Sequence, residues 1–257
     1  GTLPTMDWSN LPLDGMPVST PTTATEVALD QAWSSLTADE QYNVMSVVAN
    51  AMKAIGAYEM RLVSPLEAPF DEFVNQIRSH PDSPEQWTAM DADAQHGARL
   101  FVEVGGCLEC HKGPLMMDNA FHNIGVSVVA WADSDDPGRI EGVPGARSDV
   151  FRSSGEFSDD PTGMKAALLN ATPNLPMNLG AFKTPSLRNV AGRGPYMHAG
   201  QHETLRDTID FYNKPPDDSP TVGVRSSDVR ALELTERQVD QITAFMEALT
   251  GPAIDSR

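Results

Sequence analysis

The sequence predicts a mainly α-helical protein in which long irregular loops connect the helices. Apolar residues recur at spacings of three, four and seven in several segments, which is the pattern of amphipathic helices. Capping boxes precede two of these segments, at Thr37–Glu40 and Thr235–Gln238. Strand signals are few and no internal repeat is visible. With 257 residues, 40% of them apolar, the chain can form one large domain or two small ones.

The first third of the chain predicts an extended lead-in followed by helices. Residues 1–23 are rich in Pro, Thr and Ser. The capping box at Thr37 opens a long helix that Pro65 ends, and its apolar face comprises Tyr42, Met45, Val48, Met52, Ile55 and Leu62. A shorter helix is predicted over Pro69–Arg78, before a turn.

Three further helices are predicted in the rest of the chain. One covers Asp91–Val104 and runs directly into a Gly-Gly pair. Another begins at Thr204 and continues through Tyr212, and the last follows the capping box at Thr235 and stops at Gly251. Residues 132–180 contain many Asp, Gly, Pro and Ser, so we expect long irregular loops there.

These patterns suggest three parts. We expect a lead-in with a short helix at 1–36, a helical segment at 37–88 that packs on the domain after it, and a main domain at 89–257.

The charge of the chain narrows the classes of partner. The formal net charge is −18, from 18 basic and 36 acidic side chains. This balance argues against a nucleic-acid partner, which needs clustered Lys and Arg, and is compatible with a basic protein partner. The longest apolar run has 7 residues, far short of the roughly 20 needed for a membrane span. Because the chain begins Gly-Thr-Leu without Met, we expect a processed or trimmed product.

The only two cysteines lie in the segment Gly105-Gly106-Cys107-Leu108-Glu109-Cys110-His111. Such a pair is typical of a zinc site, a thioredoxin-like redox pair, a disulfide or covalent haem attachment. A zinc site needs two further ligands at regular spacing, but the other five His residues are scattered. No βαβ pattern surrounds the pair, and a disulfide here would close only a tiny loop. Haem attachment is therefore favoured.

In a C-x-x-C-H motif both thiols form thioethers with the haem vinyl groups. His111 follows at once and becomes the proximal ligand of the iron. Haem c is assembled outside the cytoplasm, so the motif predicts a periplasmic or exported protein. A haem-free redox or metal module remains an alternative.

Several segments of the chain match those of a known family. They are Ala49–Glu59, Cys107–Pro114, Phe121–Val126, Gly180–Val190, Pro195–Gly200, Thr204–Leu205 and Phe211–Asn213. The run Lys-Thr-Pro-Ser-Leu-Arg-Asn with Pro-Tyr-Met-His is far more specific than C-x-x-C-H alone. Through these segments the chain resembles the second half of bacterial di-haem cytochrome c peroxidases, in their MauG-like branch, over roughly residues 20–250. The resemblance implies a cytochrome c-type helical haem domain with one covalent haem c.

Members of this family carry two haem c groups in two domains. The resemblance implies that the N-terminal haem meets hydrogen peroxide, while the C-terminal haem passes it electrons from an outside donor. It therefore predicts that this chain is the electron-transfer domain of a peroxidase-type oxidoreductase. The implied partners are an N-terminal haem domain or chain, a small redox donor protein and a second copy of the chain. The alternative is a mono-haem c electron carrier without peroxidase activity.

The resemblance also implies an axial ligand on the distal side of the iron. The family position falls on Tyr212, with Met197 as the alternative. A phenolate would stabilise ferric iron and lower the reduction potential, whereas a thioether would raise it. We further expect Arg188 and Lys183 to neutralise the haem propionates.

We expect roles around the haem or in metal binding for four other residues. The resemblance suggests a place for His198 near the haem and the domain interface, and we expect His122 to support the haem loop through a backbone hydrogen bond. The family also binds calcium, with backbone carbonyls that match Arg193 and Pro195.

Overall fold

The computed structural model describes residues 21–62, 66–126, 136–216 and 222–252. The chain divides into two compact units. One comprises Gly1–Val63 and Asp149–Ala167, and the other comprises Ser64–Ser148 and Leu168–Arg257. Among the described residues, no helix has the length and apolar character needed to cross a membrane.

The described part of the chain is mainly α-helical, as the sequence predicted. Its one sheet has two short antiparallel strands, in which Phe121 lies opposite Lys183. The helices are α1 (Ala24–Ser34), α2 (Ala38–Glu59), α3 (Pro69–Ser79), α4 (Ala92–Glu103), α5 (Arg139–Ser148), α6 (Met164–Ala171), α7 (Leu205–Asn213) and α8 (Glu236–Ala248), and the strands are β1 (Phe121–His122) and β2 (Phe182–Lys183).

The smaller unit contains α1 and α2, each of which begins at a capping box. The hydroxyl of each cap residue, Thr23 or Thr37, accepts a hydrogen bond from the backbone N–H three residues ahead. The glutamate at that later position in turn accepts a hydrogen bond from the backbone N–H of the threonine. The apolar stripe that the sequence placed on α2 is largely exposed, and Ala49 alone is fully buried in this helix. Tyr42 of this stripe stacks on Phe157, with ring centroids 5.3 Å apart.

The core of the larger unit forms where α4 crosses α8. Gly97 lies directly against the backbone of Gln241, so the two helices approach closely. Around this crossing, Phe101 packs edge-to-face on Phe245 with centroids 5.2 Å apart. Val239, Ile242 and Leu249 of the α8 region are at most 1% exposed and complete this core.

Helix α7 packs on the same core and is held at both ends. Thr204 caps its N-terminus by accepting from Asp207 N. At its C-terminus, buried Asn213 donates from Nδ2 to Leu234 O at 3.1 Å and accepts from Leu234 N at 2.6 Å. These bonds fix α7 beside the segment that leads into α8, and with it the position of Tyr212.

The expectation of irregular loops throughout 132–180 is wrong for two stretches. Helices α5 and α6 both lie inside it. Helix α5 contains Gly142, Pro144 and Gly145, whose low helix propensity conceals it in the sequence. Residues 127–135 lie outside the described part of the chain, as does most of the predicted lead-in at 1–23.

Candidate haem-attachment site

The C-x-x-C-H motif begins where α4 ends, and two glycines make that turn. Gly105 N donates to Leu100 O at 2.8 Å, and a Cβ at this position would lie 2.7 Å from Cys107 Sγ. Gly106 has a left-handed backbone with φ of 62°, a conformation that glycine adopts without strain. The chain then forms a single 3-10 turn over Cys107–Glu109, and His111 N bonds back to Cys107 O at 2.8 Å. The glycines thus let the first cysteine and the histidine share one tight turn.

Both cysteines are free and partly buried. Burial raises the pKa of Cys107 to about 12. The pKa of Cys110 is also raised, first by burial and then by the nearby carboxylates of Asp118 and Asp228. The two side chains are therefore protonated thiols at neutral pH.

The ring of His111 is fixed by a single backbone carbonyl. Its Nδ1 lies 2.9 Å from Met116 O. A carbonyl oxygen can only accept, so Nδ1 carries the proton and the lone pair of Nε2 remains available. Burial lowers the pKa of His111, which favours the neutral ring. Met116 itself adopts a left-handed backbone with φ of 51°, which turns its carbonyl towards the ring.

Tyr212 on α7 is partly buried and lies close to the two cysteines of the motif. Burial raises the pKa of its phenol, and the nearby Cys107 and Cys110 raise it further. Its ring packs edge-to-face on Phe211 with centroids 5.2 Å apart. The structure therefore brings Tyr212 close to Cys107 and Cys110, although Tyr212 lies more than 100 residues further along the chain.

The alternative ligand Met197 lies in a loop and has a left-handed backbone with φ of 71°. The next residue, His198, stacks on Phe182 with centroids 3.7 Å apart, and its Nε2 lies 3.0 Å from Asp136 Oδ2. His198 is about half exposed. Its proximity to a haem remains a prediction.

Arg188 forms a nearly buried ion pair with Asp71. Its Nη1 lies 2.8 Å from Asp71 Oδ1, and its Nε donates to Pro114 O at 2.8 Å. The two side chains are only 10% and 13% exposed. Because Asp71 already neutralises this guanidinium, a haem propionate could pair with Arg188 only alongside the Asp71 carboxylate. The other predicted cation, Lys183, is exposed on β2.

The predicted calcium residues Arg193 and Pro195 are both exposed. Calcium prefers several oxygen ligands at one point. Calcium binding at these two positions remains a prediction.

Sequence reasoning missed a pair of side chains next to Cys110. His122 Nε2 lies 2.8 Å from Asp118 Oδ2, in place of the backbone hydrogen bond that we expected for this histidine. Burial alone would raise the pKa of Asp118, but hydrogen bonds from Ala120 N and His122 lower it to about 2. The spacing of four residues was visible in the sequence, but it runs from a loop into β1, and outside a helix such spacing carries no contact information.

The residues of this site fit a covalently attached haem c. Two free thiols share one tight turn with a neutral imidazole whose Nδ1 is already bonded, so that the lone pair of Nε2 can bind iron. Histidines that bind metal almost always donate their other ring N–H to such a carbonyl or carboxylate. The partly buried Tyr212 adds a candidate distal ligand.

Comparisons with known proteins agree with this interpretation. The chain is 32% identical over 209 residues to the cytochrome-c peroxidase IdrP1 of Denitromonas iodatirespirans, a match that covers 79% of this chain and 50% of that protein. It is 31% identical over 196 residues to the methylamine utilization protein MauG of Methylorubrum extorquens, which covers 76% of this chain and 42% of MauG. No family model matches.

A solved structure shares the fold. The diheme peroxidase BthA of Burkholderia thailandensis aligns with 73% of this chain and 47% of its own, at a TM-score of 0.51 and 21% identity. The chain belongs to the MauG-like di-haem cytochrome c peroxidase family, a family of oxidoreductases. It spans about half the length of the curated relatives that it matches.

Proposed function

We propose that this chain is the electron-transfer haem c domain of a MauG-like di-haem peroxidase. The observation that carries the proposal is the fixed ring of His111 in one tight turn with two free thiols, where the bond from Nδ1 to Met116 O leaves the lone pair on Nε2. The family supports the rest, because its curated members are about twice as long as this chain. A peroxidatic haem would then lie on an N-terminal domain or a partner chain.

The chain contributes attachment, orientation and burial. Cys107 and Cys110 would hold a haem through thioethers, and His111 Nε2 would bind its iron. The Met116 carbonyl keeps the ring in one tautomer and one orientation. A bound haem c supplies reversible one-electron chemistry between the ferric and ferrous states. The packed crossing of α4 and α8 supplies a rigid wall for this site, since Phe101 of α4 contacts the His111 ring at a centroid distance of 6.5 Å.

Tyr212 is proposed as the distal ligand that holds the potential low. Burial raises the pKa of the free phenol, so only a strong electrophile such as ferric iron would deprotonate it at neutral pH. We expect Tyr212→Phe to raise the midpoint potential, within the span of about 0.8 V that axial ligands cover. Tyr42→Phe, on exposed α2, is the matched control and should leave the potential unchanged.

The same titration separates the two candidate ligands. If Met197→Leu shifts the potential and Tyr212→Phe does not, the distal ligand is Met197 and our assignment is wrong.

The assembly is tested by counting haems and chains in native mass spectrometry and by assaying peroxide turnover with a reduced donor protein. We expect two haems per assembly, one of them on a second polypeptide or domain, and turnover that requires both. One haem on a single kind of chain without turnover would favour the mono-haem electron carrier instead.

The remaining proposals follow from this role. Covalent haem c implies a periplasmic or exported protein, and the net charge of −18 favours a basic donor. Arg188 and Lys183 as propionate partners, and calcium at Arg193 and Pro195, stay proposals that a haem-loaded crystal structure would test.

A further inference from the structure

Three metal-binding side chains converge beside the attachment motif. Cys110 Sγ, a carboxylate oxygen of Asp118 and a ring nitrogen of His122 all lie within 4.8 Å of one another. All three residues are partly buried. Across the described ranges of the chain, no other His, Cys, Asp and Glu residues form such a group of three. We call Cys110, Asp118 and His122 the thiol triad.

We propose that the thiol triad binds a zinc-class divalent cation in the chain before haem is attached. Thiolate, imidazole and carboxylate are the three ligand types that Zn²⁺ takes in proteins. Three protein ligands leave the fourth tetrahedral position to water. The predicted complex is therefore an open, three-ligand site with one water.

The geometry requires only small movements. In a tetrahedral site with metal–ligand bonds of about 2.0–2.3 Å, ligand atoms lie roughly 3.3–3.8 Å apart. His122 Nε2 and Asp118 Oδ2 are now 2.8 Å apart, so they must separate slightly, while the sulfur, within 4.8 Å of both, needs to approach by at most about 1 Å. The other carboxylate oxygen of Asp118 is already held by Ala120 N at 2.8 Å, which keeps Oδ2 directed at the cluster.

The proton balance of binding is simple. Asp118 is already an anion at neutral pH. The Cys110 thiol gives up one proton to solvent, and the His122 proton that now faces Asp118 moves to Nδ1, so that Nε2 can bind the ion. Binding thus releases one proton and involves no change of oxidation state.

The consequence is competition at one sulfur atom. Cys110 as a thiolate ligand cannot form a thioether, and Cys110 as a thioether offers no charge to the cation. The thiol triad itself does not depend on the proposed function, but this exclusion of haem does. An experiment that finds no cation site would therefore overturn this proposal alone, whereas an experiment that finds no haem attachment would overturn the proposed function.

The test is titration of the haem-free full chain with Co²⁺, which reports thiolate ligation by its charge-transfer absorption. We expect one Co²⁺ per chain and displacement by Zn²⁺. Cys110→Ser should abolish the thiolate band, whereas Cys107→Ser should keep it. Asp118→Asn and His122→Gln should weaken binding about tenfold or more, since even the loss of an outer hydrogen-bond partner typically weakens a metal site 10–100-fold.

The controls separate this site from binding by the cysteine pair itself. His80→Gln, at an exposed histidine, should leave Co²⁺ affinity unchanged. Bound Zn²⁺ should protect Cys110 from alkylation more than Cys107, and the haem-loaded chain should show no thiolate band. Equal losses in Cys107→Ser and Cys110→Ser, or affinity unaffected by His122→Gln, would overturn the proposal.

Discussion

Gly97 is the position where one added methyl group should lower the free energy of unfolding most. A Cβ there would lie 1.8 Å from Gln241 O and 3.0 Å from Ile242 N. Both atoms belong to the backbone of α8, so no side-chain rotation relieves the clash. In Gly97→Ala, α4 and α8 must separate until the 1.8 Å contact reaches the 3.4 Å of an ordinary one.

The size of the effect follows from two opposing terms. Alanine favours helix over glycine by about 1 kcal/mol. Overpacking typically costs about 1–3 kcal/mol, and separation also loosens the contacts of Phe101 and Ile242, which are 2% and 1% exposed. The two terms leave a loss of roughly 0–2 kcal/mol, to which the loosened contacts add. We therefore expect a net loss of about 2 kcal/mol, a substantial part of the roughly 5–15 kcal/mol of a typical domain.

Denaturant unfolding followed by far-UV circular dichroism measures this loss. The matched control is Gly142→Ala in α5, in the same compact unit, where an added Cβ meets nothing within 4 Å. We expect the control to be neutral or to gain up to about 1 kcal/mol. A Gly97→Ala chain as stable as the parent would refute the proposed close crossing.

Three further perturbations test the structure. Asn123→Ala should destabilise the chain by about 3 kcal/mol, because the buried amide bonds three backbone groups that would lose their partner. Asp71→Asn should cost about 3 kcal/mol by leaving Arg188 nearly buried without its counter-charge, and a double-mutant cycle measures their coupling. The hydrogen bond from Gln241 lowers the pKa of Asp93, so this carboxylate stabilises the fold above its ordinary pKa near 4. The stability gap between parent and Asp93→Asn should therefore be present at pH 7 and shrink as the pH falls below about 4.

Each of these has a contrary result, and the first two have a control variant. Asn174→Ala removes a single exposed hydrogen bond and should cost far less than Asn123→Ala; equal losses would contradict the buried hydrogen-bond network of Asn123. Arg193→Lys on the surface should be neutral, and a coupling energy near zero between positions 71 and 188 would rule out the ion pair. A stability gap for Asp93→Asn that does not shrink as the pH falls below about 4 would contradict the lowered pKa of Asp93.

Much of the helical frame was visible in the sequence because it depends on local signals. The Thr37 and Thr235 capping boxes mark the starts of α2 and α8, and the structure confirms both. The helix that ends at Gly105 and leads into the cysteine motif was likewise predicted to within a residue or two. Caps, glycines and apolar spacing all act within one or two turns, so one sequence is enough to find them.

The contacts that build the site are long-range and were not visible. The Arg188–Asp71 pair joins residues 117 positions apart, and no local sequence pattern indicates it. Whether Gly97 is needed depends on Gln241 across a helix crossing, which spacing within α4 cannot reveal. The bond that fixes His111 comes from a backbone carbonyl, and any residue at position 116 would offer one.

The central claim is covalent haem at Cys107, Cys110 and His111. Its most direct test is the mass of the denatured chain after expression with haem c attachment machinery. We predict the mass of the chain plus one haem, with neither cysteine open to alkylation, and loss of that haem in the Cys107→Ala/Cys110→Ala chain. A haem-free mass with both thiols freely alkylated would contradict the account.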